Sequence, residues 1–162
     1  MIREATPDDA SEIVGMIREL AAYERAAEQV EADEQAIRAA LFGPKPKVFA
    51  LVAEHAGFPV GFALWFLSFS TWTGQHGIYL EDLFVRPANR GQGHGQALLG
   101  RLAGIAVERG YRRLEWAVLD WNTPATGFYA ALGATPMADW TVWRSSGAAL
   151  DKLAATERRS AR

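Results

Sequence analysis

Leu83-Phe84-Val85-Arg86-Pro87-Ala88-Asn89-Arg90-Gly91-Gln92-Gly93-His94-Gly95-Gln96-Ala97-Leu98 passes from an apolar, strand-like segment through a glycine-dense loop into a helix-like one. Ala97, Leu98, Leu102, Ile105 and Ala106 recur at helical spacing and Gly110 supplies a stop, so the order is strand, glycine loop, helix. Glycines at alternate positions let backbone approach a ligand closely. The free N–H groups and positive dipole of the helix behind them favour an anion, most naturally a pyrophosphate. Arg86 and Arg90 flank the loop as expected phosphate partners. A P-loop requires Lys and then Ser or Thr after its last glycine, where this chain has Gln96 and Ala97. The dinucleotide pattern G-x-G-x-x-G, started at Gly91, needs its third glycine where Gln96 stands, although Glu115 lies near the place of that pattern's ribose-binding acid. A bare turn needs one or two glycines, not an Arg-led series opening a helix.

Upstream the hydrophobic period is that of strands. Val48 to Glu54 and Val60 to Phe69 are β-branched and aromatic, and a Gly57-Phe58-Pro59 turn between them predicts a hairpin. Gly77 to Val85 continues it as a meander across the short Ser70 to Gly74 connection, and three antiparallel strands are a poor prelude to a dinucleotide fold. Nearer the N-terminus, Ile2 to Ala5 reads as a strand, followed by a helix to about Tyr23 and Glu24 with Thr6 as N-cap, Pro7 at its first position and Asp8 and Asp9 at its positive end. A second helix spans Asp33 to Phe42, closed by Gly43 and Pro44. Downstream, Arg113 to Leu119 is expected to pair in parallel with the strand ending at Val85. A short helix starts at Thr123 and Pro124, carries Phe128 to Leu132 and ends at Gly133. Thr135 to Arg144 is expected to be a last strand or strand pair, and Ala148 to Arg158 a terminal helix. The pattern predicts one α/β domain over residues 1–162, with a mixed, mostly antiparallel central sheet and flanking helices.

Composition removes several alternatives. A chain of 162 residues, 49% hydrophobic and 22% charged, has the size and balance of a single soluble domain with an adequate core. Without cysteine there is no disulfide framework or thiolate nucleophile, which favours the cytoplasm. Seventeen Lys and Arg against nineteen Asp and Glu give a net charge of -2, too balanced to indicate nucleic acid or an anionic membrane as partner. The Arg158, Arg159, Arg162 tail reads as a solvated end. No apolar run reaches the roughly 18 residues of a membrane span, and Arg3, Glu4, Asp8 and Asp9 stand where a signal peptide would be apolar, so the chain reads as soluble and unprocessed. His55, His76 and His94 have no metal-ligand spacing, and no metal is expected.

The spacing Arg90-x-x-Gly93-x-Gly95, after Leu83-Phe84-Val85 and before a helix, resembles the acetyl-CoA pyrophosphate loop of the GNAT acetyltransferase superfamily. Arg18-Glu19-Leu20-Ala21-Ala22-Tyr23-Glu24, Tyr79-Leu80-Glu81-Asp82, Asp120-Trp121-Asn122, Phe128-Tyr129 and Ala131-Leu132-Gly133-Ala134 extend the resemblance to the diamine acetyltransferase family over nearly the whole chain. Ser70-Thr71-Trp72 and Ala117-Val118-Leu119-Asp120-Trp121-Asn122 look more like its thialysine-acetylating branch than its spermidine and spermine branch.

The resemblance implies an acetyl-CoA-dependent N-acetyltransferase acting on a small-molecule amine, and a homodimer. Acetyl transfer to a primary amine of pKa near 10.4 needs a base or a negative pocket that gathers neutral amine. The resemblance makes Glu81 the general base, through a bound water, and Tyr129 the proton donor to the departing thiolate. It assigns cofactor binding to Leu83, Phe84, Val85, Arg90, Gly91, Gln92, Gly93, His94, Gly95, Gln96, Asn122 and Tyr129. Tyr23 and Glu24 resemble the substrate-binding pair, joined by Glu81 and Asp82. In a regular strand Asp82 alternates to the face opposite Glu81, which only a bulge would change. Glu28 and Glu31 read as a solvated helix end. Ser70 and Thr141 stand where the polyamine enzymes carry acids, which disfavours a long polycation.

Overall fold

The computed structural model describes residues 1–160; of the arginine tail, Arg162 lies outside the described residues, as do the side chains of Arg158 and Arg159. The chain divides into two compact units, Met1–Leu119 and Asp120–Arg162. The first unit holds a five-stranded sheet of order β1 (Ile2–Glu4), β2 (Val48–His55), β3 (Phe58–Ser70), β4 (Gln75–Val85) and β5 (Leu114–Glu115). The first three pairings are antiparallel and β4 with β5 is parallel, which gives the expected mixed, mostly antiparallel sheet.

Two strand boundaries differ from expectation. The first hairpin turns at Ala56-Gly57, both in left-handed conformation with φ of 50° and 82°, and His55 pairs directly with Phe58. That two-residue turn matches strand twist, and Pro59 falls inside β3, at a register shift where its missing N–H costs little. The segment Arg113 to Leu119 pairs only through Leu114 and Glu115, opposite Ile78 and Tyr79. The ladder stops as β4 enters a bulge: Leu64 of β3 faces Asp82 and Trp65 faces Leu80, leaving Glu81 as the extra residue that bends the strand.

The first helical segment opens as a 3-10 turn, Pro7–Asp9, before α1 (Ala10–Tyr23). Asp9 stands in the first turn, as expected, and is also buried. Arg3 grips both its carboxylate oxygens at 2.7 and 2.8 Å, and the Thr6 N–H and hydroxyl donate to one of them. Arg3 also reaches Glu54 at 2.8 Å, so a buried carboxylate is tolerated because it is paired and fully hydrogen-bonded. Helix α1 ends with Ala26 N–H bonded to Ala21 and Arg25 N–H to Ala22, which places Arg25 at the left-handed position, φ 59°, usually given to glycine. Helix α2 (Glu34–Phe42) is capped by the Asp33 side chain, which accepts from the Ala36 N–H at 2.8 Å.

Ile13 and Met16 of α1 and Leu41 of α2 pack with Ala50, Val52, Phe62, Leu64 and Phe84 on one face of the sheet. Full burial of side chains such as Phe62, Met16 and Ile13 contributes about 1.5–3 kcal/mol each. Strand alternation turns Leu51, Ala53, Ala63 and Trp65 to the other face. There α3 (His94–Glu108) buries Leu98, Leu102 and Ile105, and Arg109 at its end sits 5.6 Å from the Trp65 ring.

The second unit contains α4 (Thr123–Ala131) and α5 (Ala148–Ser160). Asn122 caps α4, accepting from the Ala125 N–H at 3.4 Å, and Gly133 closes it: its N–H donates to the Ala130 carbonyl and the following Ala134 N–H to the Tyr129 carbonyl. Thr135 to Arg144, expected as strand, has no strand among the described residues. Pro136 cannot donate to a ladder, Trp140 N–H turns back to Met137, and Val142 and Trp143 are exposed, so the aromatic and β-branched composition finds no pleated surface to cover.

Candidate active site

The site lies along β4 and the loop that follows it. The bulge at Glu81 decides which way Asp82 faces. Leu80 shares the α3 face with its partner Trp65. Two residues on, Asp82 pairs with Leu64 and so joins Phe84 on the face covered by α1. In a bulge-free strand Asp82 would have stayed with Leu80. Facing α1, it meets the field of Glu24 at that helix's end. Burial first, then the Glu81 and Glu24 carboxylates, pushes the Asp82 carboxyl up to about 6. Burial also raises Glu24 above the usual carboxylate range. Tyr79 is raised as well, by burial and then by Glu81 and Glu115. Glu81 itself is exposed. The arrangement is a cluster of negative charge that a cation would relieve.

Past Tyr79, β4 keeps β3 on one side, with Leu83 opposite Ala63, Phe84 opposite Phe62 and Val85 opposite Gly61, while among the described residues no strand pairs with its other side. That bare edge can take an extended, amide-bearing ligand as an added strand. Phe84 itself is core. After a 3-10 turn, Pro87–Asn89, the chain passes through Arg90, Gly91 and Gln92 to Gly93, the N-cap of α3. Gly93 has φ 82°, and a Cβ built there would have no protein atom within 4 Å. The cradle is therefore open on its ligand side, and the leading N–H groups of α3, from His94, Gly95 and Gln96, point out of the helix end. This fits a pyrophosphate.

The two flanking arginines, expected as phosphate partners, both make contacts within the protein. Arg86 donates to Glu12 at 2.9 Å, to Glu19 at 3.1 Å and to the Pro59 carbonyl at 3.0 Å, tying the end of β4 to α1. Arg90 donates its Nε to the Val85 carbonyl at 2.9 Å, and its guanidinium lies 5.4 Å from the Tyr23 ring centroid and 5.6 Å from that of Phe84. His94 packs edge-on against His55, ring centroids 5.8 Å apart, and its Nε2 is buried without a hydrogen-bond partner.

The structure therefore brings Tyr23, Glu24, Glu81, Asp82, Phe84 and Arg90 together within the first unit. Asn122 and Tyr129 belong to the second, where Asn122 is buried as the α4 cap and the Tyr129 ring lies 5.4 Å from Phe128. The Arg90 stack on Tyr23 was missed by sequence reasoning, since nothing in the spacing of the two residues announces it. Among the described residues no group of three or more His, Cys, Asp or Glu is placed to hold a metal ion, and no helix is long and apolar enough to cross a membrane.

A strand, an open glycine cradle at a helix N-terminus and an acidic cluster on one mixed sheet define an acyl-transfer class of site. The Acetyltransferase (GNAT) family matches residues 11–134, and the chain belongs to that family. It is 42% identical over 165 residues to the thialysine N-epsilon-acetyltransferase of Bos taurus, covering 95% of this chain and 96% of the relative. It is 36% identical to the Caenorhabditis elegans protein of the same name, covering 92% and 93%. Among solved structures, an integron cassette protein from the mobile metagenome of V. cholerae superimposes with a TM-score of 0.79 at 29% identity, covering 95% of this chain and 96% of that one.

Proposed function

We propose that residues 1–162 act as one N-acetyltransferase domain that moves the acetyl group of acetyl-CoA directly to the primary amine of a small molecule, a thialysine or lysine-like amino acid. The observation that carries this reading is the acidic cluster of Glu81 and Asp82, on the strand that leads into the open glycine cradle, with Glu24 at the end of α1. Bound acetyl-CoA supplies an activated thioester. The backbone at Gly91, Gly93, His94, Gly95 and Gln96 holds the pyrophosphate, and the bare edge of β4 at Leu83 to Val85 holds the extended arm and polarises the carbonyl. Gln92 and Asn122 complete the cofactor contacts.

Tyr23, Glu24 and Asp82 hold the ammonium form of the acceptor. Glu81, solvent-exposed at the bulge, takes its proton through a water, and Tyr129 returns a proton to the sulfur that leaves. The relatives named for thialysine support that acceptor. We propose further that it works as a homodimer in the cytoplasm, and sedimentation velocity and cell fractionation test those two parts.

The deciding experiment is an acetyl-CoA assay over thialysine, lysine, ornithine, putrescine, spermidine and a lysine-bearing peptide. Thialysine or lysine is expected to give the highest kcat/KM. Preference for spermidine would shift the reading to polyamines, and turnover of the peptide alone would shift it to proteins.

A further inference from the structure

We propose that Arg90 is a positioning residue that couples occupation of the glycine cradle to binding of the acceptor amine, through the stack of its guanidinium on Tyr23. The inference rests on the reading above of where acetyl-CoA and amine bind. Arg90 is the residue immediately before Gly91, so any settling of the loop around a pyrophosphate moves its backbone. Its Nε is fixed on the Val85 carbonyl at 2.9 Å, which orients the plane of the guanidinium. That plane is shared between two rings of different character, Phe84 at 5.6 Å and Tyr23 at 5.4 Å. Phe84 is buried in the core, whereas Tyr23 is 38% exposed in the last turn of α1. The stack is therefore anchored at one ring and adjustable at the other.

Tyr23 is followed directly by Glu24, the C-cap of α1, whose carboxyl acts on Asp82. Arg25, next in line, holds a left-handed conformation that favours glycine, so the end of α1 is a point where backbone geometry is under tension. The body of α1 is held elsewhere: Arg86 grips Glu12 and Glu19 from the end of β4. With the helix clamped upstream, displacement of Arg90 is delivered to its last turn, and so to Glu24 and the charge cluster. Two ligand sites linked in this way must show a reciprocal coupling of affinities.

Calorimetry with CoA and thialysine tests this without turnover. In the wild type, saturating CoA is expected to lower the thialysine Kd roughly tenfold, within the ordinary range for such coupling. Arg90→Gln and Tyr23→Leu should each reduce that factor to near one, with the double variant no worse than either. Tyr23→Phe, which keeps the ring, should retain it. In steady state, Arg90→Gln should raise the amine KM at saturating acetyl-CoA far more than it lowers kcat. Unfolding temperatures of the variants, measured alongside, show that each is folded. Survival of the full coupling factor in both Arg90→Gln and Tyr23→Leu overturns the proposal, as does a wild type that binds both ligands independently. If the wild type binds no CoA, it is the acetyl-CoA reading of the cradle that fails, a different result from independent binding.

Discussion

The Asp82 carboxyl lies in the field of the Glu24 carboxylate, although one residue belongs to the sheet and the other to the end of a helix far away in sequence. Burial first, then Glu81 and that field, keep Asp82 protonated to about pH 6 in the folded protein, against about 3.9 for an ordinary Asp. Between those values the native state holds more protons than the unfolded one, so stability falls as pH rises from about 4 to about 6 and is level above. Asp82→Asn should remove this slope and stabilise the protein at pH 7 by about 1–3 kcal/mol, while weakening amine binding. Urea titrations at pH 4, 5, 6 and 7 check it, and an unchanged slope in the variant would falsify the assignment.

The proposed acid and base should separate by pH. Glu81→Gln is expected to lose most activity below neutrality and to recover partly as pH rises, because solvent then supplies neutral amine. Tyr129→Phe should lose turnover by about 10²- to 10⁴-fold with no such recovery. Rate profiles from pH 6 to 9 distinguish the two, and wild-type rates in both variants would reassign the proton transfers.

Gly93→Val places a branched side chain in the open space over the cradle and forces it into left-handed backbone at φ 82°. The strain costs about 1–2 kcal/mol of stability. Acetyl-CoA binding should fall much further, by at least about tenfold, because the cradle is filled. A calorimetric Kd close to wild type in the folded variant would remove the pyrophosphate from this loop.

The Arg3–Asp9 pair is predicted to matter for stability and not for catalysis. Hydrogen bonds from Arg3 hold the Asp9 carboxyl below the usual carboxylate range. A depressed carboxylate contributes stability that is fully present above about pH 4 and is lost as pH falls through its lower native value. Asp9→Ala, which leaves Arg3 without its buried partner, should cost about 2–4 kcal/mol at pH 7 and flatten the acid limb. Denaturant midpoints for wild type and variant, with kcat measured in parallel, decide between this and a role in the reaction.

Acceptor choice is expected to follow charge count. Introducing acids where this chain has neutral residues, with Ser70→Asp and Thr141→Glu together, should raise spermidine kcat/KM relative to thialysine, at about 1 kcal/mol per added charge pair. An unchanged ratio would mean that Glu24, Glu81 and Asp82 alone set the preference.

The sequence alone determined the order of most elements and the glycine loop that opens α3, because both are written in local terms. Helical spacing from Ala97 to Ala106, the glycines at 91, 93 and 95, and the alternation through β2, β3 and β4 each depend on residues a few positions apart. It misplaced what depends on neighbours. Thr135 to Arg144 has strand composition without a strand to pair with, and Arg113 to Leu119 shortens to two paired residues because β4 bulges beside it. Only the tertiary structure decided that Arg86 is tied to Glu12 and Glu19 of α1, that Arg90 stacks on Tyr23, and that a single extra residue at Glu81 turns Asp82 toward Glu24. The physical reason is that charge and ring contacts act through space, and the folded backbone brings together groups whose separation along the chain carries no signal of their meeting.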